Sequence, residues 1–161
     1  MSVPQTSMST AFVPGVEGQI AEGVPSEVIT RVVETADGVG AGRAMRWGTN
    51  PATQALVFSA DAHSAQILGV TVRLPFSREQ STPEFPLGAE VSLLRRGAIW
   101  LICPVAIAPS DFATLSWIVT GADAGRLTNV VDANDRAIGV RCLQGAGAGQ
   151  LGLFYLNLGG T

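Results

Sequence analysis

His63 is the only histidine of the chain, and Asp61 and Ser64 flank it closely enough to raise the question of catalysis. A hydroxyl nucleophile needs a histidine base that is itself oriented by a carboxylate. Residues this close together on a loop rarely face one another in that arrangement. We therefore predict a solvated loop histidine and no catalytic residue. A small hydrolase is the last-ranked alternative, and substitution of His63 would test it.

Two cysteines, Cys103 and Cys142, are the other candidates for nucleophilic or metal chemistry. Their separation does not match the spacing of metal ligands, and both lie in apolar runs. Reactive thiols occupy electropositive and partly exposed places. We predict that both are reduced core residues, although the sequence leaves open a disulfide between them.

Cofactor and metal motifs are each incomplete. The run Gly145–Gly149 lacks the lysine, the hydroxyl residue and the following helix of a phosphate-binding loop, because Gln150 and an apolar strand follow it. Asp132 and Asp135 lack the carboxylate ladder and closing glutamate of a calcium loop. We predict a hairpin loop and a turn at these places, with no bound metal or cofactor.

Composition points away from enzymes and towards assemblies. The 161 residues fit one domain, of which 47% are hydrophobic and only 14% charged, against about 25% charged in typical proteins. A surface so poor in charge is explained most simply by burial against partner subunits. All 10 basic residues are arginines scattered in ones and twos, so no nucleic-acid partner is predicted. No segment has the length of a membrane span, and no secretory signal precedes the domain.

Alternation of apolar and polar residues predicts an all-β fold, a small β-barrel or a β-sandwich. In the strand 67–74, Leu68, Val70, Val72 and Leu74 are expected on one face. A hairpin is predicted around Arg96–Gly97. Residues 112–120 are predicted to form a strand. As an alternative, the preceding residues 109–111 could cap a short helix. The other predicted strands are 28–35, 44–47, 90–94, 98–103, 137–143 and 151–158.

Two strands are apolar on both faces, which is unusual because an antiparallel strand normally exposes one face to solvent. In the last strand, one face carries Leu151, Leu153 and Tyr155, and the other carries Phe154, Leu156 and Leu158. One set must fill the core, and the other must lie against another subunit or under the segment that follows Phe12. Tyr155 favours its own set, Leu151, Leu153 and Tyr155, as the trimer-interface candidates, since a phenol can bury its ring and still reach a polar partner.

Three stretches resemble the phage structural cement, or head decoration, family. They are Pro14–Gly18 followed by the strand at Val28; Leu68–Arg73 with Leu87–Trp100; and Ala137–Leu143 followed by the glycine-rich loop and Leu153–Leu158. The resemblance rests on their order and spacing from Phe12 onward, although the chain lacks lysine. It implies a non-enzymatic, trimeric barrel or sandwich on the outer capsid surface of the virion. Assembled in the host cytoplasm, it would lock neighbouring major capsid subunits after the shell expands.

The N-terminus, residues 1–11, is polar and is predicted to be an arm that is disordered when free, ahead of a single domain over 12–161. Such an arm can add as a strand to an exposed sheet edge of the capsid. The candidates for capsid contact are Val3, Pro4, Phe12 and Val13. The predicted partners are the major capsid protein and further copies of the chain. The alternative function is a trimeric tail- or fibre-associated domain that recognises a receptor or glycan.

Overall fold

The computed structural model describes residues 15–57, 67–73, 84–130 and 136–158. Strands and one short 3-10 helix, Pro109–Ala113, make up the regular structure within these ranges, which confirms the all-β prediction. The predicted arm lies outside the described residues. The strands are β1 Glu27–Val33, β2 Ala44–Trp47, β3 Gln54–Val57, β4 Ile67–Thr71, β5 Glu90–Cys103, β6 Ser116–Trp117, β7 Leu127–Thr128, β8 Val140–Gln144 and β9 Gln150–Asn157.

Five of these strands form a closed barrel in the order β1–β3–β2–β4–β5, and the pairing of β1 with β5 closes it. β1 and β3 are parallel, whereas the other neighbours are antiparallel. Of the two architectures predicted, the barrel is therefore the correct one. One hydrophobic cluster fills it, with buried side chains from all five strands: Val33, Met45, Ala55, Leu68, Val91 and Leu93.

β5 is the longest strand, with 14 residues, and it belongs to the barrel only in its first half. The predicted hairpin at Arg96–Gly97 is wrong, because the strand continues through a β-bulge there. Glu27 pairs with Arg96 while Val28 pairs with Leu94, so Arg95 is the extra residue. Gly97 has a φ of +134°, which a side chain would make costly. Such a bulge bends a strand and redirects its side chains.

Beyond the bulge, β5 leaves the barrel and pairs with β9 from Arg96 to Cys103. β9 pairs in turn with β8, so β5, β9 and β8 form a three-stranded extension in which β8 is the outer strand. The bulge exchanges the two faces of β5. Leu94 lies in the same hydrophobic cluster as Ile99 and Leu101, although Leu94 has an even number and the other two have odd numbers. We call this second cluster, outside the barrel, the outer cluster.

The outer cluster packs one face of the extension against the segment that follows β5. Its buried members in that segment include Leu115, Trp117 and Leu127. The predicted strand over 112–120 is wrong in length, because only Ser116–Trp117 pairs, with β7. The alternative of a short helix is confirmed: Asp111 Oδ2 accepts a hydrogen bond from the Ala108 N–H at 2.8 Å and so caps the 3-10 helix.

β4 departs from the strict alternation predicted for it. Leu68 lies in the barrel cluster, whereas Val70 lies in the outer cluster. The cause is a shift of register opposite β2, where Met45 pairs with Gly69 but Arg46 pairs with Ile67. A Cβ atom on Gly69 would stand 2.9 Å from Leu93 Cβ, so the close approach of β4 to β5 depends on glycine at this position.

Candidate interaction surfaces

The residues first considered for chemistry do not assemble a reactive site within the described part of the chain. His63, Asp132 and Asp135 lie outside the described residues. Across the described ranges, no three histidine, cysteine or acidic side chains lie close enough to hold a metal ion. No helix there is long and apolar enough to cross a membrane.

Cys103 and Cys142 are both buried in the outer cluster and both are free thiols, as predicted. Burial raises the pKa of each thiol to about 11, helped at Cys103 by the neighbouring Cys142 and at Cys142 by Asp111. Because only the thiolate is a nucleophile or a metal ligand, these groups are inert packing residues at neutral pH.

A strap formed by residues 15–24 lies along the second half of β5, on the side away from β9. Its backbone pairs with β5 through Gly18 N–H to Trp100 C=O and Ala21 N–H to Ala98 C=O, both at 2.8 Å. Trp100 N–H donates back to the carbonyl of Gln19 at 3.0 Å. The strap therefore acts as a further strand beside β5.

The strap covers part of the second apolar face of the extension. Leu153 is fully buried there in a small cluster with Ala21, Ala98 and Trp100. This face thus lies under the segment that follows Phe12, one of the two arrangements predicted for it. Of the trimer-interface candidates, Leu153 presents no surface in the isolated subunit. Leu151 and Tyr155 remain partly exposed at the margin of the cluster.

An ion-pair network joins the strap to the turn between β6 and β7. Arg126 Nη2 lies 3.2 Å from Glu17 Oε2, and Arg126 Nη1 lies 2.7 Å from Asp123 Oδ1. Burial raises the pKa of Glu17, although Arg126 and Arg43 act in the opposite direction. Glu17 Oε1 and Arg126 Nε are buried without hydrogen-bond partners. The network therefore positions the strap at a cost in desolvation.

A groove of about 760 Å³ runs along β8, between this strand and the 3-10 helix. Three of its apolar side chains are exposed to an unusual degree: Phe112 by 66%, Ile138 by 64% and Leu143 by 46%. Large apolar side chains gathered beside an open strand are typical of a docking surface. We name this surface the β8 groove.

The sequence reading missed the β8 groove because it placed Phe112 and Ile138 inside strands. In the structure Phe112 belongs to the 3-10 helix, and Ile138 lies in the turn before β8. One signal was present in the sequence: Leu143 continues the exposed side of β8 after Arg141, so an apolar residue stands on a face that the core does not use.

Comparison with solved structures finds a similar fold in two phage proteins. The fold is similar to that of a chain in the capsid of Myoviridae phage XM1, with a TM-score of 0.68, 18% identity and 98% of each chain covered. It is also similar to the head fiber gp8.5 N base of bacteriophage phi29, with a TM-score of 0.51 and 16% identity over 82% of this chain and 96% of that chain. At these identities the likeness concerns the fold alone. A search of curated protein sequences gave no significant match.

The family comparison covers nearly the whole sequence. The family described as structural cement protein (E217 gp24/Pam3 gp6) matches residues 3–157. Apart from Leu158, the match includes all three stretches on which the resemblance was based, and it confirms that resemblance. The chain therefore belongs to the phage structural cement protein family.

Proposed function

We propose that this protein decorates the outer surface of the mature phage head and clamps neighbouring major capsid subunits there. The observation that carries the proposal is the family match over residues 3–157. The likeness in fold to a chain of a phage capsid supports it. Membership of the family makes the chain a phage structural protein of the virion; the clamp and its location are the proposed steps.

The proposed working unit is a homotrimer of this chain. Leu151 and Tyr155 are the partly exposed candidates for the subunit contact, and Leu153 supports them from the cluster beneath. Three linked copies make the second and third capsid contacts intramolecular, which raises avidity by orders of magnitude without stronger individual contacts. Weak contacts per subunit are then sufficient for stable decoration.

The proposed capsid contacts begin at the N-terminus. Residues 1–11 act as an arm ahead of the domain over 12–161, and Val3, Pro4, Phe12 and Val13 contact the capsid. The arm carries no charged side chain, so it can be buried against a protein surface without desolvating a charge. Main-chain hydrogen bonds from an added strand would supply affinity with little demand on its side chains.

A cement of this kind needs no chemical reaction. A protein that binds the mature shell and not its dissociated subunits stabilises the shell by mass action. The gain is about 2.7 kcal/mol per site when the concentration of free protein is 100 times the dissociation constant. Selective binding to the expanded lattice would also make maturation harder to reverse. This role is consistent with a domain whose two thiols are buried packing residues.

The direct test uses mature heads of the parent phage that lack this protein. Purified protein should bind them saturably, in multiples of three copies, and should raise the temperature at which the heads release DNA. Unexpanded proheads are the matched control and should bind far less. Equal binding to proheads, or decoration without any gain in head stability, would contradict the clamp. Protein without residues 1–11 should bind mature heads more weakly while keeping its oligomeric state.

A second candidate is a tail- or fibre-associated domain for receptor or glycan recognition. The likeness to the phi29 head fiber base favours it. The two functions differ in copy number: a cement occupies hundreds of positions in each virion, whereas a fibre component occupies few. Quantitative mass spectrometry of purified virions would separate them, and specific binding to host cells would support the fibre alternative.

A further inference from the structure

The backbone of β8 has an unpaired edge. The N–H of Asn157 in β9 donates to the carbonyl of Gly139, and the register pairs Val140 with Leu156. Because hydrogen-bonding direction alternates along an antiparallel strand, the N–H and C=O groups of Val140 and Cys142 point away from β9. No backbone partner meets them among the described residues. Backbone bonds between Leu115 and Ala137 and between Ile107 and Ala146 bound this stretch at its two ends, so another strand can pair with β8 only between them.

The β8 groove supplies an apolar wall beside this edge. Phe112 stands on the 3-10 helix, which packs against β8, and Ile138 stands at the start of the strand. An added strand sends alternate side chains to opposite faces. One set of its side chains would therefore fall into the groove, while its backbone would satisfy Val140 and Cys142.

The charge of the groove selects among candidate occupants. Arg136 and Arg141 line it, and its described lining contains no carboxylate. Both side chains are exposed, and neither forms an ion pair with a described residue. An uncharged segment, such as residues 1–14 of another copy, would leave both guanidinium groups unmatched. A segment with carboxylates would pair with them in the planar geometry that arginine favours.

We propose that β8 receives an extended, acidic and apolar segment of a neighbouring major capsid subunit as an additional strand. The inference rests on the proposed function, because it takes the capsid as the partner, and it adds a second contact to that of the arm. Apolar side chains of the segment occupy the groove beside Phe112 and Ile138. Its carboxylates pair with Arg136 and Arg141. The pairing with β8 covers about five residues, or about 17 Å of strand.

The experiment measures binding of the full-length protein to mature heads that lack it, at low and at high salt. Ile138→Glu places a charge in the apolar wall, and the double variant R136E/R141E reverses the charge of the groove. Each should weaken binding about tenfold or more, and the charge reversal should also flatten the salt dependence. Leu87→Glu is the matched control, since Leu87 is 60% exposed on the barrel, away from the groove. R136K/R141K keeps the charge but loses the planar fork, so it should bind more weakly than the wild type and more tightly than R136E/R141E.

Hydrogen–deuterium exchange gives a second measurement that does not depend on variants. The amides of residues 136–144 should exchange more slowly when the wild-type protein is bound to heads. Unchanged exchange in this peptide, or wild-type affinity in both groove variants, would overturn the inference and leave the proposed function standing. Groove variants that change the oligomeric state but not head affinity would assign β8 to a second copy and equally overturn it. Wild-type protein that does not bind heads at all would overturn both proposals.

Discussion

The barrel and the extension formed by β5, β9 and β8 differ in how their strand edges are paired. In the barrel, the pairing of β1 with β5 closes the sheet, so its strands offer little backbone for pairing with another chain. In the extension, the strap protects one side, and on the other side the backbone groups of Val140 and Cys142 have no backbone partner among the described residues. The closed part suits a stable framework, and the open part suits contacts. Substitutions of buried core residues should therefore impair folding in either part, whereas substitutions along the open edge of the extension should impair assembly.

The largest effect is expected where the extension contributes to the core. Phe154 is fully buried in the outer cluster, and Phe154→Ala should lower the free energy of unfolding by about 3–5 kcal/mol. Chemical denaturation measures this loss. Phe112→Ala is the control, because Phe112 is exposed and should change stability little. A stable F154A protein would mean that the extension is dispensable for folding and that the barrel alone supplies the stability of the subunit.

The bulge that separates the two regions should be the next most sensitive position. Gly97→Ala introduces a Cβ at a φ of +134°, 3.1 Å from Ser26 Cβ, and should cost about 1–3 kcal/mol. Gly147→Ala in the β8–β9 loop is the control, since no atom other than those of Gln150 lies within 4 Å of its Cβ. Equal melting temperatures for the two variants would show that β5 passes from the barrel to the extension without a conformational requirement for glycine.

A smaller effect is expected from Glu17, whose ion pair with Arg126 joins the strap to the turn between β6 and β7. Burial raises the pKa of Glu17 in the folded protein, so the folded state holds this proton more tightly than the unfolded state. Its contribution to stability is therefore largest below the unfolded pKa and is lost as the pH rises through the folded pKa. The melting temperature of the wild type should therefore include a decrease between pH 4 and pH 8 that comes from Glu17. The Glu17→Gln variant should lack this decrease. A pH profile unchanged by the substitution would contradict the assignment.

The smallest effect on the subunit itself is expected at Tyr155. Its hydroxyl accepts a hydrogen bond from Arg96 Nε at 3.3 Å at an exposed position, which contributes little to stability. Tyr155→Asp should therefore leave a folded subunit but yield monomers if this side forms the trimer contact. Light scattering together with circular dichroism tests both statements. A trimer that survives the substitution would remove Tyr155 from the proposed interface.

Much of the fold could be predicted from the sequence, because alternation determines which residues share a strand face. The two faces of β9 follow the predicted sets, with Phe154 in the outer cluster and Leu153 in the cluster under the strap. The predicted strand 44–47 matches β2 in both bounds. Alternation failed at the bulges near Gly69 and Gly97, because one extra residue exchanges the faces of everything that follows. A glycine after two arginines favours a turn and a bulge alike, and only the pairing of β1 with β5 decides between them.

The candidate surfaces were harder to predict than the fold. Leu153 was grouped with Leu151 and Tyr155 by parity, but burial under the strap depends on a segment more than a hundred residues away in sequence. The β8 groove depends on which strand ends the sheet, and local alternation carries no information about strand order. Its exposed Phe112 looked like a strand residue because the 3-10 helix that carries it is only 5 residues long.

The two thiols have a consequence for the life of the particle. A phage head is assembled in a reducing cell and is then released into oxidising surroundings. With the pKa of Cys103 and Cys142 raised to about 11, only about one thiol in ten thousand is ionised at pH 7. Oxidation and disulfide exchange proceed through the thiolate at accessible sites. In the proposed role on a phage head, the buried thiols should not cross-link neighbouring copies, so virions should age without disulfide-linked multimers of this chain.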